Sequence, residues 1–294
     1  MSTGIPRGPR RTFQDIKRDV TVAGPLARMI YAVDRILPGP RVGGRDSHEA
    51  YAEWEYGIGK SLLDEYSEWF GSLEGKKVLD IGCGLGGKSV AYAEEGAFVT
   101  GVDIDPVHAA GALEYAGKRG SPISVVTGDA AVLPFREGSF DIVIANDSME
   151  HFARPAPALE EFARVTRPGG LVFLFFTPWG SPLASHLYDH IHTPWCHLLY
   201  NENILEQLLE LSLERSGDSD PSAEAARMIG EYRRSNNRID VAGYRRILEG
   251  VTSLETAFDE LKPPRFGFLR PLTSIPRLGE LFTGTVTAVL RKKD

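Results

Sequence analysis

The sequence predicts an α/β fold built on a doubly wound, mostly parallel sheet. Three observations carry this. From about Lys76, short apolar runs alternate with helical stretches. The first of those runs ends in a glycine-rich turn that opens a helix. Arg167-Pro168-Gly169-Gly170 later turns a helix into a further apolar run. Alternating β and α segments imply a parallel sheet covered on both faces. Right-handed crossovers then place helices on either side.

The elements follow in order. Residues 1 to about 20 hold five basic and two acidic residues among several Gly and Pro, which predicts a flexible arm over residues 1–24. Leu26, Met29, Ile30, Val33 and Leu37 recur at helical spacing, and Pro38-Gly39-Pro40 ends that helix. A second helical stretch runs from about His48 to Phe70. Both precede the first strong strand, so residues 25–75 are expected to form a helical cap. Within it Tyr51, Trp54 and Tyr56 are placed to help close a pocket. The core spans residues 76–177. Its strands are expected at Lys77–Ile81, Phe98–Val102, Ile123–Val126, Asp141–Ala145 and Leu171–Phe176. Its helices are expected at Gly87–Glu95, Pro106–Lys118 and about Ala156–Thr166. Residues 178–250 break this regularity and read as a helical insertion, with Ser216–Ser222 as a loop and a helix near Val241–Leu248. Leu254–Lys262 and Thr283–Leu290 complete the sheet as the last two strands, within residues 251–294.

Composition narrows the function classes. The chain has 294 residues, 33 basic and 40 acidic, for a net charge of −7. That balance counts against nucleic acid as the main partner, because phosphate binding needs a basic surface. No apolar run approaches the roughly 18 residues of a membrane helix. The N-terminus lacks the apolar core of a secretory signal, so a cytoplasmic protein is expected. Two cysteines, Cys83 and Cys196, are too few for a disulfide framework or a zinc knuckle.

The glycine turn reads Asp80-Ile81-Gly82-Cys83-Gly84-Leu85-Gly86-Gly87. Glycines permit a tight turn and let a ligand touch backbone. The helix that follows offers free N–H groups. By itself the turn fits two ligand classes. Gly82, Gly84 and Gly87 also satisfy the dinucleotide pattern, and Asp103, 21 residues after Gly82, suits a ribose in either case. Three features separate the classes. Asp80 stands two residues before Gly82, where a carboxylate orients the loop and the ammonium of an amino-acid ligand but repels a pyrophosphate. Gly128-Asp129-Ala130 follows the third strand, where an acid can accept from an adenine amino group. The strand Asp141–Asn146 and the Arg167–Gly170 turn into another strand follow in the expected order.

Residues 76 to 177 resemble the core of the class I S-adenosylmethionine-dependent methyltransferases, through Val78–Gly87, Val99–Pro106, Gly128–Phe135, Asp141–Phe152 and Arg164–Phe176. The likeness is to the ubiquinone- and menaquinone-type small-molecule enzymes and to uncharacterised bacterial relatives. It implies a Rossmann-like sheet whose C-terminal strand, Thr283–Leu290, is antiparallel. It implies S-adenosylmethionine as cofactor, with Gly82, Gly84 and Gly86 lining its methionine part. By the same resemblance Asp103 takes both ribose hydroxyls and Ile104 the adenine face. Asp129 and Ala130 take the adenine edge, and Asn146 lies near the sulfonium. The insertion's Ser-Pro, His-Leu-Tyr-Asp and Pro-Trp-x-His-Leu-Leu pieces are similar to those of uncharacterised bacterial members.

Methyl transfer from a sulfonium needs mainly an in-line acceptor. A base is required only where the acceptor must lose a proton. His151 is the first candidate, since it follows the fourth strand and imidazoles titrate near neutral pH. In the competing view Asp147-Ser148-Met149-Glu150 has capping-box spacing, which makes His151 a first-turn residue. His186 and His190, spaced to share a helix face, are further catalytic candidates beside His192 and His197. No metal is expected. The expected partner is a small-molecule substrate, with a homodimer as the candidate assembly. The competing functions are a macromolecule methyltransferase, a dinucleotide-dependent oxidoreductase and a non-catalytic cofactor-binding module. Asn146-Asp147-Ser148-Met149 lacks the Asn/Asp-Pro-Pro-Tyr/Phe motif of amino-methylating nucleic-acid enzymes.

Overall fold

The structure, a computed structural model, describes residues 23–39, 47–264, 267–275 and 278–294. All but the last two residues of the expected N-terminal arm lie outside the described residues. The chain divides into two compact units, one of Arg41–His186 with Arg234–Asp294 and one of Met1–Pro40 with Leu187–Arg233.

The first unit holds the sheet. Its strands are β1 (Lys77–Ile81), β2 (Phe98–Asp103), β3 (Ser124–Thr127), β4 (Phe140–Asn146), β5 (Thr166–Phe176), β6 (Leu254–Lys262) and β7 (Thr285–Lys292). They lie in the order β3-β2-β1-β4-β5-β7-β6. The first five run parallel, and β7 is antiparallel to both β5 and β6. This is the doubly wound, Rossmann-like sheet with an antiparallel C-terminal strand that the sequence implies.

The central strands read as continuous apolar runs because both faces are covered. Leu79, Ile81, Val143, Ala145, Val172, Leu174 and Phe176 point to one side, against Leu159, Phe162 and Tyr244. Val78, Ile142, Ile144, Phe173 and Phe175 point to the other, against Tyr66, Phe70 and Tyr92. Phe70 stacks on Phe173 with ring centroids 4.1 Å apart.

β5 begins five residues before the expected Leu171. Thr166 pairs with Phe140, and the glycine turn forms an irregularity inside the strand rather than its start, with Gly169 at φ 70°.

The cap helix of the sequence analysis is two helices, α2 (His48–Glu65) and α3 (Ser67–Phe70), following α1 (Pro25–Asp34) in the other unit. Ser47 caps α2 by accepting from the Ala50 N–H at 3.1 Å. α2 lies against α4 (Gly87–Glu94) at backbone contact. A Cβ at Gly59 would stand 2.8 Å from Ala91 Cβ, and one at Gly87 1.9 Å from Ala52 O. Tyr56 donates to Glu94 at 2.6 Å, beneath the Arg119 guanidinium, which fastens α2 further. The unit is completed by α5 (Pro106–Arg119), α6 (Pro155–Val165) and α10 (Val241–Gly250).

The second unit holds α1, α7 (Cys196–Leu199), α8 (Glu202–Ser216) and most of α9 (Pro221–Ser235). Its centre is the buried Asp34. One oxygen accepts from the Thr193 N–H and hydroxyl at 2.7 and 2.6 Å; the other accepts from Arg35 and from the His192 N–H at 2.7 and 3.1 Å. Burial pushes the Asp34 carboxyl up, but these hydrogen bonds outweigh it and hold it below its ordinary value. Among the described residues no helix is long and apolar enough to cross a membrane.

Candidate functional site

The site lies at the carboxyl ends of β1, β2, β3 and β4. Gly82, Gly84 and Gly86 all have left-handed backbone, with φ of 68°, 55° and 83°. They also have no room for side chains: a Cβ would meet Ser148 Cβ, Glu55 Oε1 and Ala112 Cβ at 2.7, 2.8 and 2.7 Å. Conformation and close approach therefore both require glycine here.

Asp80 is fully buried and its Oδ2 accepts from the Ser89 hydroxyl at 2.5 Å, tying β1 to α4. Asp103 ends β2. It accepts from the Gly84 N–H and the Asp105 N–H, each at 2.9 Å, so it braces the loop from the neighbouring strand. Burial raises its carboxyl, while bonds from His108, Asp105 and Gly84 more than reverse this and hold it below the ordinary value. Ile104, next along, is 74% exposed. Asp129 is exposed beyond β3. It accepts from the Ala131 N–H and from Arg154, both at 2.8 Å, and Ala130 is buried beside it. Asn146 is buried at the end of β4.

The segment after Asn146 departs from expectation. Asp147 has φ 51°, and Met149–His151 is a 3₁₀ turn with no side-chain cap. The capping box does not form, because Glu150 turns inward and accepts from the Thr177 N–H at 3.2 Å. His151 is exposed, and its Nδ1 donates to Ser235 O. A carbonyl can only accept, so this bond puts the ring proton on Nδ1 and leaves Nε2 as the lone-pair side. Asn237 staples the turn by donating to Met149 O and Phe152 O, both at 2.9 Å.

His186 and His190 do not share a helix face. Short turns occupy this stretch, with His186 N–H donating to Leu183 O and His190 N–H to Leu187 O, and His186 has φ 56°. Pro182 and that left-handed residue stop a helix from propagating. The structure brings His186 to His151, with ring centroids 4.9 Å apart and His186 Nε2 4.0 Å from Glu150 Oε1. His190 belongs to the other unit, where its Nδ1 is 3.3 Å from the Ser212 hydroxyl. His192 is there too, bonded to Leu37 O at 3.0 Å.

Two further residues stand out that sequence reasoning passes over. Glu55 of α2 is buried against Gly84, with Lys88 Nζ 3.9 Å from Oε1 and no partner on Oε2. Lys88, also buried, donates to Asn146 O at 3.0 Å and so links α4 to the end of β4. The only signal for Glu55 is an acid on the face of a cap helix that also carries the close-packed Gly59.

Burial pushes the Glu55 carboxyl up to about 7, with the Lys88 ammonium opposing and Asp80 adding. Burial pushes Asp80 up to about 6, with Lys88 and Ser89 opposing. Glu150 is raised by burial and then by Asp147. A carboxyl raised on folding contributes stability below its unfolded value that is lost as pH climbs through its folded value. The lowered carboxylates, such as Asp34 and Asp103, act oppositely, but their contribution is complete above the unfolded value. The melting temperature of the free protein is therefore expected to peak near pH ~5 and fall by roughly several degrees toward pH ~8. Thermal denaturation across that range checks this; a rise over the same interval refutes it.

The comparisons with known proteins agree with this geometry at the level of fold and class. A family model described as a methyltransferase domain matches residues 79–174. An uncharacterised methyltransferase of Mycobacterium marinum is 31% identical over 227 residues, covering 74% of this chain and 77% of that one. One of Mycobacterium tuberculosis is 38% identical over 158 residues, covering 52% and 59%. Magnesium protoporphyrin IX methyltransferase (ChlM) from Synechocystis PCC 6803, solved with bound SAH, shares the fold at a TM-score of 0.51 and 17% identity, over 96% of this chain and 95% of that one. The chain belongs to the S-adenosylmethionine-dependent methyltransferases.

Proposed function

We propose that this enzyme transfers the methyl group of S-adenosylmethionine to an oxygen, carbon or nitrogen atom of a small molecule in the cytoplasm, with His151 as the base where the acceptor must lose a proton. The observation that carries the cofactor reading is electrostatic. Asp80, Glu55, Asp103 and Asp147 gather around the glycine loop and the adjoining strand ends, with Lys88 as the buried cation among them. Such a site suits a cationic ligand and repels a pyrophosphate. The unpartnered Glu55 Oε2 beside Gly84 is an acceptor that an ammonium would satisfy.

When bound, the cofactor supplies a methyl group activated by a positive sulfur. The chain's residues would divide the binding. Gly82, Gly84 and Gly86 line the methionine part, with Asp80 and Glu55 on its ammonium side. Asp103 takes the ribose hydroxyls, Ile104 and Ala130 border the adenine, and Asp129 offers a remaining lone pair to its edge. Asn146 lies on the sulfonium side. His151 receives a proton on Nε2, the nitrogen its bond to Ser235 leaves open. His186, beside it, extends that wall; His190 is the weaker candidate of the three.

Calorimetric titration with S-adenosylmethionine, S-adenosylhomocysteine and NAD tests the cofactor; binding of NAD alone defeats the proposal. Asp103→Ala is expected to weaken S-adenosylmethionine by about 1–3 kcal/mol through a lost charge-assisted hydrogen bond, roughly 5- to 150-fold. Unchanged affinity would place the ribose elsewhere. Incubating cell extract with labelled methyl donor and separating products by size tests the acceptor, and label confined to protein or RNA would exclude a small molecule.

A further inference from the structure

Glu150, His151 and His186 stand together beyond the carboxyl end of β4, within the unit that holds the sheet. One carboxylate oxygen and one nitrogen from each imidazole lie within 4.8 Å of one another. His186 Nε2 is 4.0 Å from Glu150 Oε1, and the two rings have centroids 4.9 Å apart. Among the described residues this is the one group of three such side chains brought so close.

The group is also prepared for a ligand. Glu150 is 1% exposed, and its Oε2 has no hydrogen-bond partner. A buried carboxylate oxygen costs free energy unless a donor or a cation meets it. The other oxygen, Oε1, accepts from the Thr177 N–H, which fixes the carboxylate plane. His151 gives its Nδ1 proton to Ser235 O, so its lone pair is on Nε2. An imidazole held through its other nitrogen by a backbone carbonyl, beside a hydrogen-bonded carboxylate, is the outer arrangement that orients metal ligands.

The donor set selects the ion. Two imidazoles and one carboxylate suit zinc and its neighbouring divalent transition metals, with a fourth position left open. Magnesium and calcium prefer oxygen donors alone. Bonds of about 2.0–2.2 Å to a tetrahedral ion set ligand atoms about 3.3–3.5 Å apart. The group must draw in by about an ångström to reach this, and the exposed His151 side chain is able to move. Positions 150, 151 and 186 match no ligand spacing along the chain, so the sequence pattern carries no metal signature here.

We propose that Glu150, His151 and His186 form a binding site for a divalent transition-metal ion of the zinc class. A bound ion takes the Nε2 lone pair of His151, so the loaded form has no base there. That consequence rests on the reading of His151 as the base; the binding does not.

Equilibrium dialysis of the untagged full chain against micromolar Zn²⁺, followed by metal analysis, tests the site. About one zinc per chain is expected, undisturbed by about 1 mM Mg²⁺. Glu150→Gln and His151→Ala should each weaken zinc about 100-fold or more. His190→Ala, in the other unit, should bind as the parent does. His151 is exposed, so its variant should fold even where a change at the buried Glu150 disturbs the protein; the melting temperature without metal checks this. Absence of stoichiometric zinc in the parent overturns the proposal, as does undiminished binding in folded His151→Ala. Labelled-methyl transfer in the presence of zinc reads the base separately: turnover unchanged by bound zinc defeats His151 as base and leaves the site standing.

Discussion

Replacing His151 with alanine is expected to lower kcat about 100-fold or more, with S-adenosylmethionine affinity left within about twofold. The size follows from what general-base catalysis contributes when a positioned group takes a proton in the transition state. The positioning is visible. The Ser235 carbonyl holds Nδ1, which fixes the tautomer, and Asn237 holds the carbonyls on either side of the turn. The side chain is exposed, so its removal leaves no cavity and the fold should be intact. If His151 is the base, added imidazole should restore part of the lost turnover, a rescue that loss of packing does not give. Unchanged turnover would show that the acceptor sheds its proton without His151. Asn237→Ala should act through the turn, giving a smaller loss that imidazole does not restore.

Gly87→Ala is expected to cost about 3 kcal/mol or more, lowering the melting temperature by roughly 6–12 °C. The added Cβ would stand 1.9 Å from Ala52 O and 2.6 Å from Glu55 Cβ and Tyr56 N. Two of those atoms are backbone, so no rotamer relieves the clash and α2 must back away from α4. That shift also draws Glu55 from Gly84, so S-adenosylmethionine affinity should fall with stability. Gly57→Ala is the contrast. Gly57 lies inside α2 with nothing within 4 Å of an added Cβ, so ordinary helix propensity should stabilise the protein by about 0.5–1 kcal/mol. If both variants melted alike, the close approach of α2 and α4 would not be what holds the cap in place.

Much of the core was legible because its signals are local. β1, α4, α5 and β4 begin and end within about two residues of the positions read from apolar runs, Pro106 and the glycine turn. Errors arose where a distant partner claims a group. The Asp147–Glu150 spacing permits a capping box, yet Thr177 takes Glu150 and the box is lost. The His186 and His190 spacing permits a shared helix face, yet turns and a left-handed residue separate them into different units. Spacing states which groups are within reach along the chain. It does not state which of them a remote segment binds.

The amino-acid sequence by itself determined the alternation of strands and helices, the glycine loop and the acids at successive strand ends. Each of these depends on residues a few positions apart, where backbone geometry and burial pattern leave few choices. Only the tertiary structure decided that Glu55 lies on Gly84, that Glu150 and His186 flank His151, and that Ser235, 84 residues on, orients its ring. It also decided that β7 enters between β5 and β6. These are contacts between side chains and strands remote in sequence. They follow from how covered sheet faces and docked helices fill space together, which no single stretch of chain encodes.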